Sequence, residues 1–187
     1  MFTQFYVLGP RGDSIIYKNF RNEITKPTAE IFFRNVRFWN NKTQEAPPIF
    51  NVDGLHYMWV KRNGLYFVFT AIQNISPCIA MELLVRITKL MKDYCGLLTE
   101  EAVRANFTLV YELLDEVIDY GYPQSTTNDS LKTFVFNEPV VVSKVDQKLL
   151  PINIKLPFGA AKTTAASAVD KPINHRDKLN SNDVYVD

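Results

Sequence analysis

The sequence contains few of the residues on which enzyme sites are built. Its 187 residues include only two histidines, His56 and His175, and two cysteines, Cys78 and Cys95. No glycine-rich phosphate loop follows a predicted strand, and neither HExxH nor GxSxG occurs. The histidines are far apart in the sequence and have no paired nucleophile. We therefore expect no enzymatic activity, no catalytic residue, no cofactor and no metal site.

A strong net charge and long apolar runs are also lacking. The formal net charge of +1 gives no global attraction to nucleic acid or to an anionic membrane. The basic clusters are not interleaved with exposed aromatic residues, so we expect no nucleic-acid partner. No run approaches the roughly 18 apolar residues of a membrane span, and no signal-peptide pattern is present. Because the cysteines lack CxxC spacing, we expect a cytoplasmic protein with reduced, mostly packed thiols.

Runs rich in aromatic and β-branched residues predict five strands. Residues 2–8 and 14–20 form an opening hairpin, and residues 49–52, 55–60 and 65–71 form three more strands joined by Asp53-Gly54 and Asn63-Gly64 turns. The nearly continuous apolar run LYFVFT predicts a strand that is central or covered on both faces. These strands predict a five-stranded antiparallel meander that is interrupted by one helix.

Helical periodicity predicts the remaining elements. One helix spans about residues 25–39, a second begins at Ser76-Pro77 and ends at Gly96, and a shorter one lies near residues 126–136. Another begins near Thr99 and continues through residues 107–120. Its core stripe is predicted to comprise Val103, Phe107, Val110, Leu114 and Val117. Its acidic stripe, which is either solvated or faces a basic partner, comprises Glu112, Asp115, Glu116 and Asp119.

The first helix is apolar on two opposite sides. Phe32, Phe33 and Val36 share one side, whereas Ile31 and Phe38 lie on the other. A lone helix on a small domain should be polar on its outer side. We therefore expect a partner-binding surface there, formed by Ile31 and Phe38 with Arg34 and Asn35 at its rim. Two alternatives stay open: the carboxy-terminal segment folds over these residues, or they are tolerated singly as exposed apolar residues.

Two stretches carry a resemblance to a known family. The segment LVYELLDEVIDYGYPQSTTNDSLKTFV is similar to the last helices of the amino-terminal domain of the medium (mu) subunits of heterotetrameric adaptor protein complexes. The opening MFTQFYVLGPRGDSIIYKNFR and the segment SPCIAMELLVRITKLMKDYCG are most similar to medium subunits of adaptor complex four. The pattern alone predicts α+β layer packing. The resemblance implies an α+β, longin-like (SNARE-like) domain with the order β-β-α-β-β-β-α-α.

The resemblance also implies a function and a domain organisation. Residues 1–139 would form the longin-like domain, and residues 140–187 would be a linker to a missing carboxy-terminal domain that reads tyrosine-based cargo signals. The expected partners are a large beta-type subunit and the other adaptor subunits. The expected location is the cytoplasmic side of trans-Golgi or endosomal membranes, as a peripheral association through the complex. A coatomer subunit or another longin-type regulator of membrane trafficking is the alternative.

Overall fold

A computed structural model describes residues 1–42 and 45–142 of the chain. The predicted carboxy-terminal linker therefore lies almost entirely outside the described residues, as does His175. The boundary at residue 139 stays a prediction.

Five antiparallel strands form the central sheet. They are β1 (Gln4–Leu8), β2 (Ser14–Asn19), β3 (Ile49–Val52), β4 (Leu55–Arg62) and β5 (Leu65–Ala71). The two predicted tight turns are confirmed: Asp53 and Gly54 have φ angles of 53° and 78°, and Asn63 and Gly64 have φ angles of 50° and 83°. Two consecutive positive φ angles are the geometry of a type I′ turn, which Asn-Gly and Asp-Gly pairs favour.

The order of the strands corrects the predicted meander. The sheet runs β2-β1-β5-β4-β3, with β1 paired to both β2 and β5. The chain leaves β2 at one edge and re-enters through β3 at the other. All five residues of β1 are buried, and burial on both faces favours a central position over an edge. The prediction that LYFVFT is central is confirmed, because β5 lies between β1 and β4.

Within residues 1–42 and 45–142, five helices accompany the sheet. They are α1 (Thr28–Arg37), α2 (Pro77–Cys95), α3 (Glu100–Ala105), α4 (Phe107–Val117) and α5 (Asn128–Leu131), and a 3-10 turn, Trp39–Lys42, follows α1. The second predicted helix is confirmed with its proline start and with Gly96 as its C-cap. Two short strands, β6 (Ile118–Asp119) and β7 (Tyr122–Pro123), form a separate hairpin.

The two faces of the sheet bury different clusters. On one face, β1 and β5 contribute Phe5, Val7, Phe67 and Phe69 to a large core with residues of α2, α3 and α4. On the other face, Tyr6, Leu8 and Val68 join a smaller cluster centred on Phe32 of α1. Helices therefore cover both faces of the sheet, and the α+β, longin-like fold is confirmed.

The helix predicted to begin near Thr99 and continue to residue 120 is broken into α3 and α4 and ends earlier than expected. Its break lies at Asn106, whose buried side chain donates from Nδ2 to the carbonyls of Ala102 and Val140, each at 2.9 Å. Such side-chain bonding to nearby backbone competes with helix continuation. After this break, the Phe107 side chain at the start of α4 is 56% exposed, so its predicted place in the core stripe is wrong. The helix ends at Val117, and the chain turns into the small hairpin.

Gly121 in that hairpin lies close to the backbone of Phe2, just before β1. Its φ is +85°, and a Cβ at this position would lie 2.1 Å from the carbonyl oxygen of Phe2. The amide of Phe2 donates to the carbonyl of Gly121 at 3.1 Å. Only glycine permits this conformation and this approach together. Gly121 therefore joins the hairpin after α4 to the start of the chain through a backbone contact.

Candidate functional site

The outer surface of α1 is the candidate partner-binding site, and α1 is held from beneath by aromatic rings. The Phe32 ring is fully buried, and its centroid lies 5.8 to 6.2 Å from the ring centroids of five neighbours. At the start of the helix, Thr28 Oγ1 donates to Gln4 Oε1 at 2.6 Å. These contacts fix which side of α1 faces away from the sheet.

The structure places the predicted residues Ile31, Arg34, Asn35 and Phe38 differently from one another. Phe38 is 56% exposed and directly follows the helix. Arg34 is exposed, and Asn35 is half-buried with its Nδ2 donating to the carbonyl of Ile31 at 2.7 Å. Phe38 and Arg34 thus form the accessible part of the predicted surface.

Ile31 departs from the expectation that it faces away from its own chain. It is half-buried and packs against the cluster around Phe32. It also lines a cleft of about 270 Å³ together with Ile24, Val52 and Ile72. The segment before α1 and the β3–β4 hairpin lie beside the helix and cover part of the side on which Ile31 lies. Helical periodicity shows only on which side of the helix a residue lies, so it could not show which other segments contact that side.

The described part of the carboxy-terminal segment does not fold over α1. It runs along α4 on the opposite face, where both carboxylate oxygens of Glu112 accept hydrogen bonds. The amides of Phe136 and Asn137 donate to them at 3.0 Å each, and Asn137 Nδ2 donates at 2.8 Å. Asn106 Oδ1 accepts from the Val140 amide at 2.6 Å. Residues 136–140 are thereby attached to α4.

The acidic stripe on α4 is partly used within the chain. Glu112 holds the segment just described, and the carboxylate of Asp115 pairs with the ammonium of Lys18 on β2. Glu116 is half-buried and Asp119 is exposed. Among residues 1–42 and 45–142, no three His, Cys, Asp or Glu side chains are grouped so that they could hold a metal ion.

Tyr111 has a role that the sequence did not reveal. Its hydroxyl accepts from the amide of Tyr17 at 3.2 Å and donates to the carbonyl of Tyr17 at 2.9 Å. Because β2 is an edge strand, these backbone groups have no neighbouring strand to pair with. Edge strands are prone to pair with other chains unless they are covered. Tyr111 covers this edge at Tyr17. No local sequence pattern predicts a contact between residues 94 positions apart.

The remaining polar candidates have structural environments. His56 lies in β4 with its Nδ1 3.3 Å from Asn51 Nδ2. Cys95 is buried, which raises the pKa of its thiol to about 12. Cys78 is exposed, so of the two thiols that were expected to be mostly packed, Cys95 is packed and Cys78 is not. In the described part of the chain, no helix combines the length and apolarity that a membrane crossing demands.

Similar sequences are found among mu subunits. The chain is 50% identical over 175 residues to "AP-4 complex subunit mu" of Arabidopsis thaliana, covering 92% of this chain and 38% of that protein. It is 37% identical over 194 residues to "AP-4 complex subunit mu-1" of Homo sapiens, covering 100% of this chain and 42% of that protein. The chain thus spans less than half the length of these relatives. No family model matches.

Structural similarity supports the same fold. A homology model titled "full-length AP-3 complex in a stretched open conformation" contains a chain that matches with a TM-score of 0.52 and 14% sequence identity. The match covers 70% of this chain and 89% of that chain. At this identity, the match shows the fold alone. Taken together with the similar sequences, it shows that this chain belongs to the medium (mu) subunits of heterotetrameric adaptor protein complexes and has their amino-terminal, longin-like fold.

Proposed function

We propose that this chain is a non-enzymatic assembly module of a vesicle-coat adaptor complex, and that it binds a large beta-type subunit through the outer surface of α1. The single observation that carries the proposal is Phe38, a large aromatic side chain with 56% of its surface exposed. Arg34 lies one turn before it and is also exposed. Aromatic residues, including Phe, and Arg are enriched at protein–protein interfaces relative to the rest of the surface.

The cellular role follows from the proposed assembly. The complex would sort cargo for intracellular transport from trans-Golgi or endosomal membranes, and this chain would reach the membrane peripherally through its partner subunits. Tyrosine-based cargo signals would be read by another domain of the medium subunit. Two tetrapeptides here fit the tyrosine-x-x-bulky pattern, at residues 57–60 and 111–114. Both lie in regular elements, and their last residues, Val60 and Leu114, are buried, whereas sorting signals bind as extended peptides.

The test is copurification of the full-length medium subunit with the beta-type subunit of the same organism. Phe38→Ser should weaken copurification at least about tenfold, because a buried aromatic anchor at an interface is worth on the order of 2 kcal/mol or more. The domain itself should stay folded, since the side chain is mostly in solvent. Ile31→Ser is a poor probe because it would also remove packing within this chain.

Phe134→Ser provides a matched control. Phe134 is also 56% exposed, but it lies beyond α5, near Leu131, whose side chain belongs to the large core on the opposite face of the sheet. Full copurification of the Phe38 variant, or an equal loss with the Phe134 variant, would remove the assignment of the interface to α1.

A further inference from the structure

Basic side chains collect beside the exposed end of α1. Phe33 of α1 packs against the β1–β2 turn so closely that a Cβ on Gly12 would lie 2.4 Å from its ring. One helical turn later, the guanidinium carbon of Arg37 lies 5.8 Å from the Phe33 ring centroid. The Phe33 and Tyr66 rings are 6.0 Å apart, and Lys61 Nζ lies 4.9 Å from the Tyr66 centroid. Two aromatic rings thus carry two cations on one continuous surface.

A further cation extends this surface. Arg11 precedes Gly12 in the turn, and its side chain is exposed. We call the surface formed by Arg11, Arg37 and Lys61 the basic patch. Around the helix axis, at about 100° per residue, Arg34 lies between Arg37 and Phe38. The basic patch is therefore continuous with the proposed subunit interface.

The basic patch has no acidic partner within the described part of the chain. Salt bridges there involve Lys18, Lys26, Arg21, Arg86, Arg104 and Lys132, but none of the patch residues. Asp13, in the same turn as Arg11, pairs with Arg104 instead. Glu30 lies one turn before Arg34 on α1, yet the two form no salt bridge. Six cations of the described residues thus pair with carboxylates, whereas the cations clustered in the basic patch have no such partner there.

We infer that the partner surface seated on α1 presents an acidic segment, rich in Asp and Glu, to the basic patch. This inference rests on the proposed function, since it concerns the partner of the same surface. Any protein that covers Phe38 removes water from the neighbouring cations. Cations left unpaired on desolvation weaken binding strongly. Carboxylates opposite Arg37 and Lys61 relieve that cost and speed association.

The experiment measures the affinity of the full-length medium subunit for the beta-type subunit at low and at physiological ionic strength. The double charge reversal Arg37→Glu with Lys61→Glu should weaken binding by about tenfold or more at low salt. The difference from the wild type should shrink as salt increases, because screening attenuates exposed charge pairs. The charge-preserving pair Arg37→Lys with Lys61→Arg should retain most of the affinity.

A matched control lies on the other face. Lys89 and Lys92 of α2 are exposed and form no salt bridge within the described residues. Their reversal to Glu should leave the affinity unchanged. An equal loss in this control would overturn the acidic-segment inference, because it would indicate a general charge effect.

The Phe38→Ser variant separates the two proposals. If Phe38→Ser weakens binding with an unchanged salt dependence while the patch reversal has no effect, the proposed interface stands and the acidic segment is ruled out. If neither variant weakens binding, both proposals are wrong. A third result would also overturn the inference. In that result, vesicles containing phosphatidylserine bind the wild type but not the patch reversal, while the affinity for the beta-type subunit is the same for both. The basic patch would then contact lipid.

Discussion

The two faces of the sheet are covered in different ways. One face is covered by a single ten-residue helix, α1, which is centred on the Phe32 ring. The other is covered by α2, α3 and α4, and its core draws on residues from Phe2 to Val135. The outer surface of a single covering helix is available to a partner, whereas α2, α3 and α4 on the other face also pack against one another. The lightly covered face is therefore the better candidate for contact with another subunit.

The two faces also differ in how far their charged side chains pair within the chain. Around α1, the exposed cations of the basic patch have no acidic partner in the described part of the chain. On α4, Glu112 and Asp115 are engaged by the chain itself, one with backbone amides and one with Lys18. Partial burial lowers the pKa of Lys18. Acids that pair within the chain say little about a partner. The cations of the basic patch, which have no carboxylate partner among the described residues, are available to one.

The largest expected effect compares the anchors of the two faces. Phe32→Ala should destabilise the domain by about 3–5 kcal/mol, because it empties a site surrounded by five rings. Leu84→Ala, at a fully buried position of α2, should cost about 2–5 kcal/mol. Amide hydrogen exchange distinguishes the two variants: the Phe32 variant should open α1 selectively, whereas the Leu84 variant should increase exchange across the whole domain. Uniform exchange in both variants would show that the faces unfold as one unit.

A smaller effect tests whether the acids of α4 serve the fold. Glu112→Ala should cost about 1–3 kcal/mol, because hydrogen bonds to a charged group are lost and two amides lose their acceptor. Proteolysis within residues 136–140 should become faster. Glu116→Ala is the matched control on the same helix and should change little. Similar proteolysis of the two variants would contradict the role of Glu112.

The smallest expected effect concerns alkaline pH and the cluster beneath α1. Burial, with the nearby Asp53 carboxylate, raises the pKa of Tyr57 to about 12. The folded state therefore holds this proton more tightly than the unfolded state, whose tyrosines titrate near pH 10. This contribution to stability is complete below pH 10 and is lost as pH rises towards 12, at up to about 1.4 kcal/mol per pH unit.

Denaturant titrations between neutral and alkaline pH measure this contribution. Tyr57→Phe should flatten the loss of stability above pH 10 and change stability little at neutral pH. Cys95 on the other face also has a pKa of about 12 because it is buried, so Cys95→Ala should flatten the loss from about pH 9 upwards. An unchanged alkaline slope in the Tyr57 variant would show that this hydroxyl titrates normally.

Local signals predicted most elements of the fold. The strands β3 and β5 have the predicted bounds, and the turn residues Asp53-Gly54 and Asn63-Gly64 adopt the positive φ angles that their types favour. Helix α2 begins after Ser76 and ends at Gly96 as predicted. These features depend on neighbours in sequence. The strand order, the break at Asn106 and the exposure of Phe107 depend on long-range packing, and the predictions for them were wrong.

The candidate site divides in the same way. The apolar character of Phe38 and its position near the end of α1 could be read from the sequence, as could the exposed position of Arg34 on the outer side of the helix. The side contact of Ile31 could not, because it comes from segments that approach α1 from outside the helix. The basic patch was also missed, since Arg11, Arg37 and Lys61 are distant in sequence and meet only where the β1–β2 turn, α1 and β4 converge.

The sequence by itself determined most of the elements and their turns, because these depend on residue type at fixed short spacings, and it carried the resemblance to the adaptor medium subunits. Only the tertiary structure decided which edge of the sheet Tyr111 contacts, which acids of α4 pair within the chain, and which cations lack a carboxylate partner among the described residues. Those outcomes depend on distances between residues far apart in the chain, and such distances are set only when the two helical layers close on the sheet.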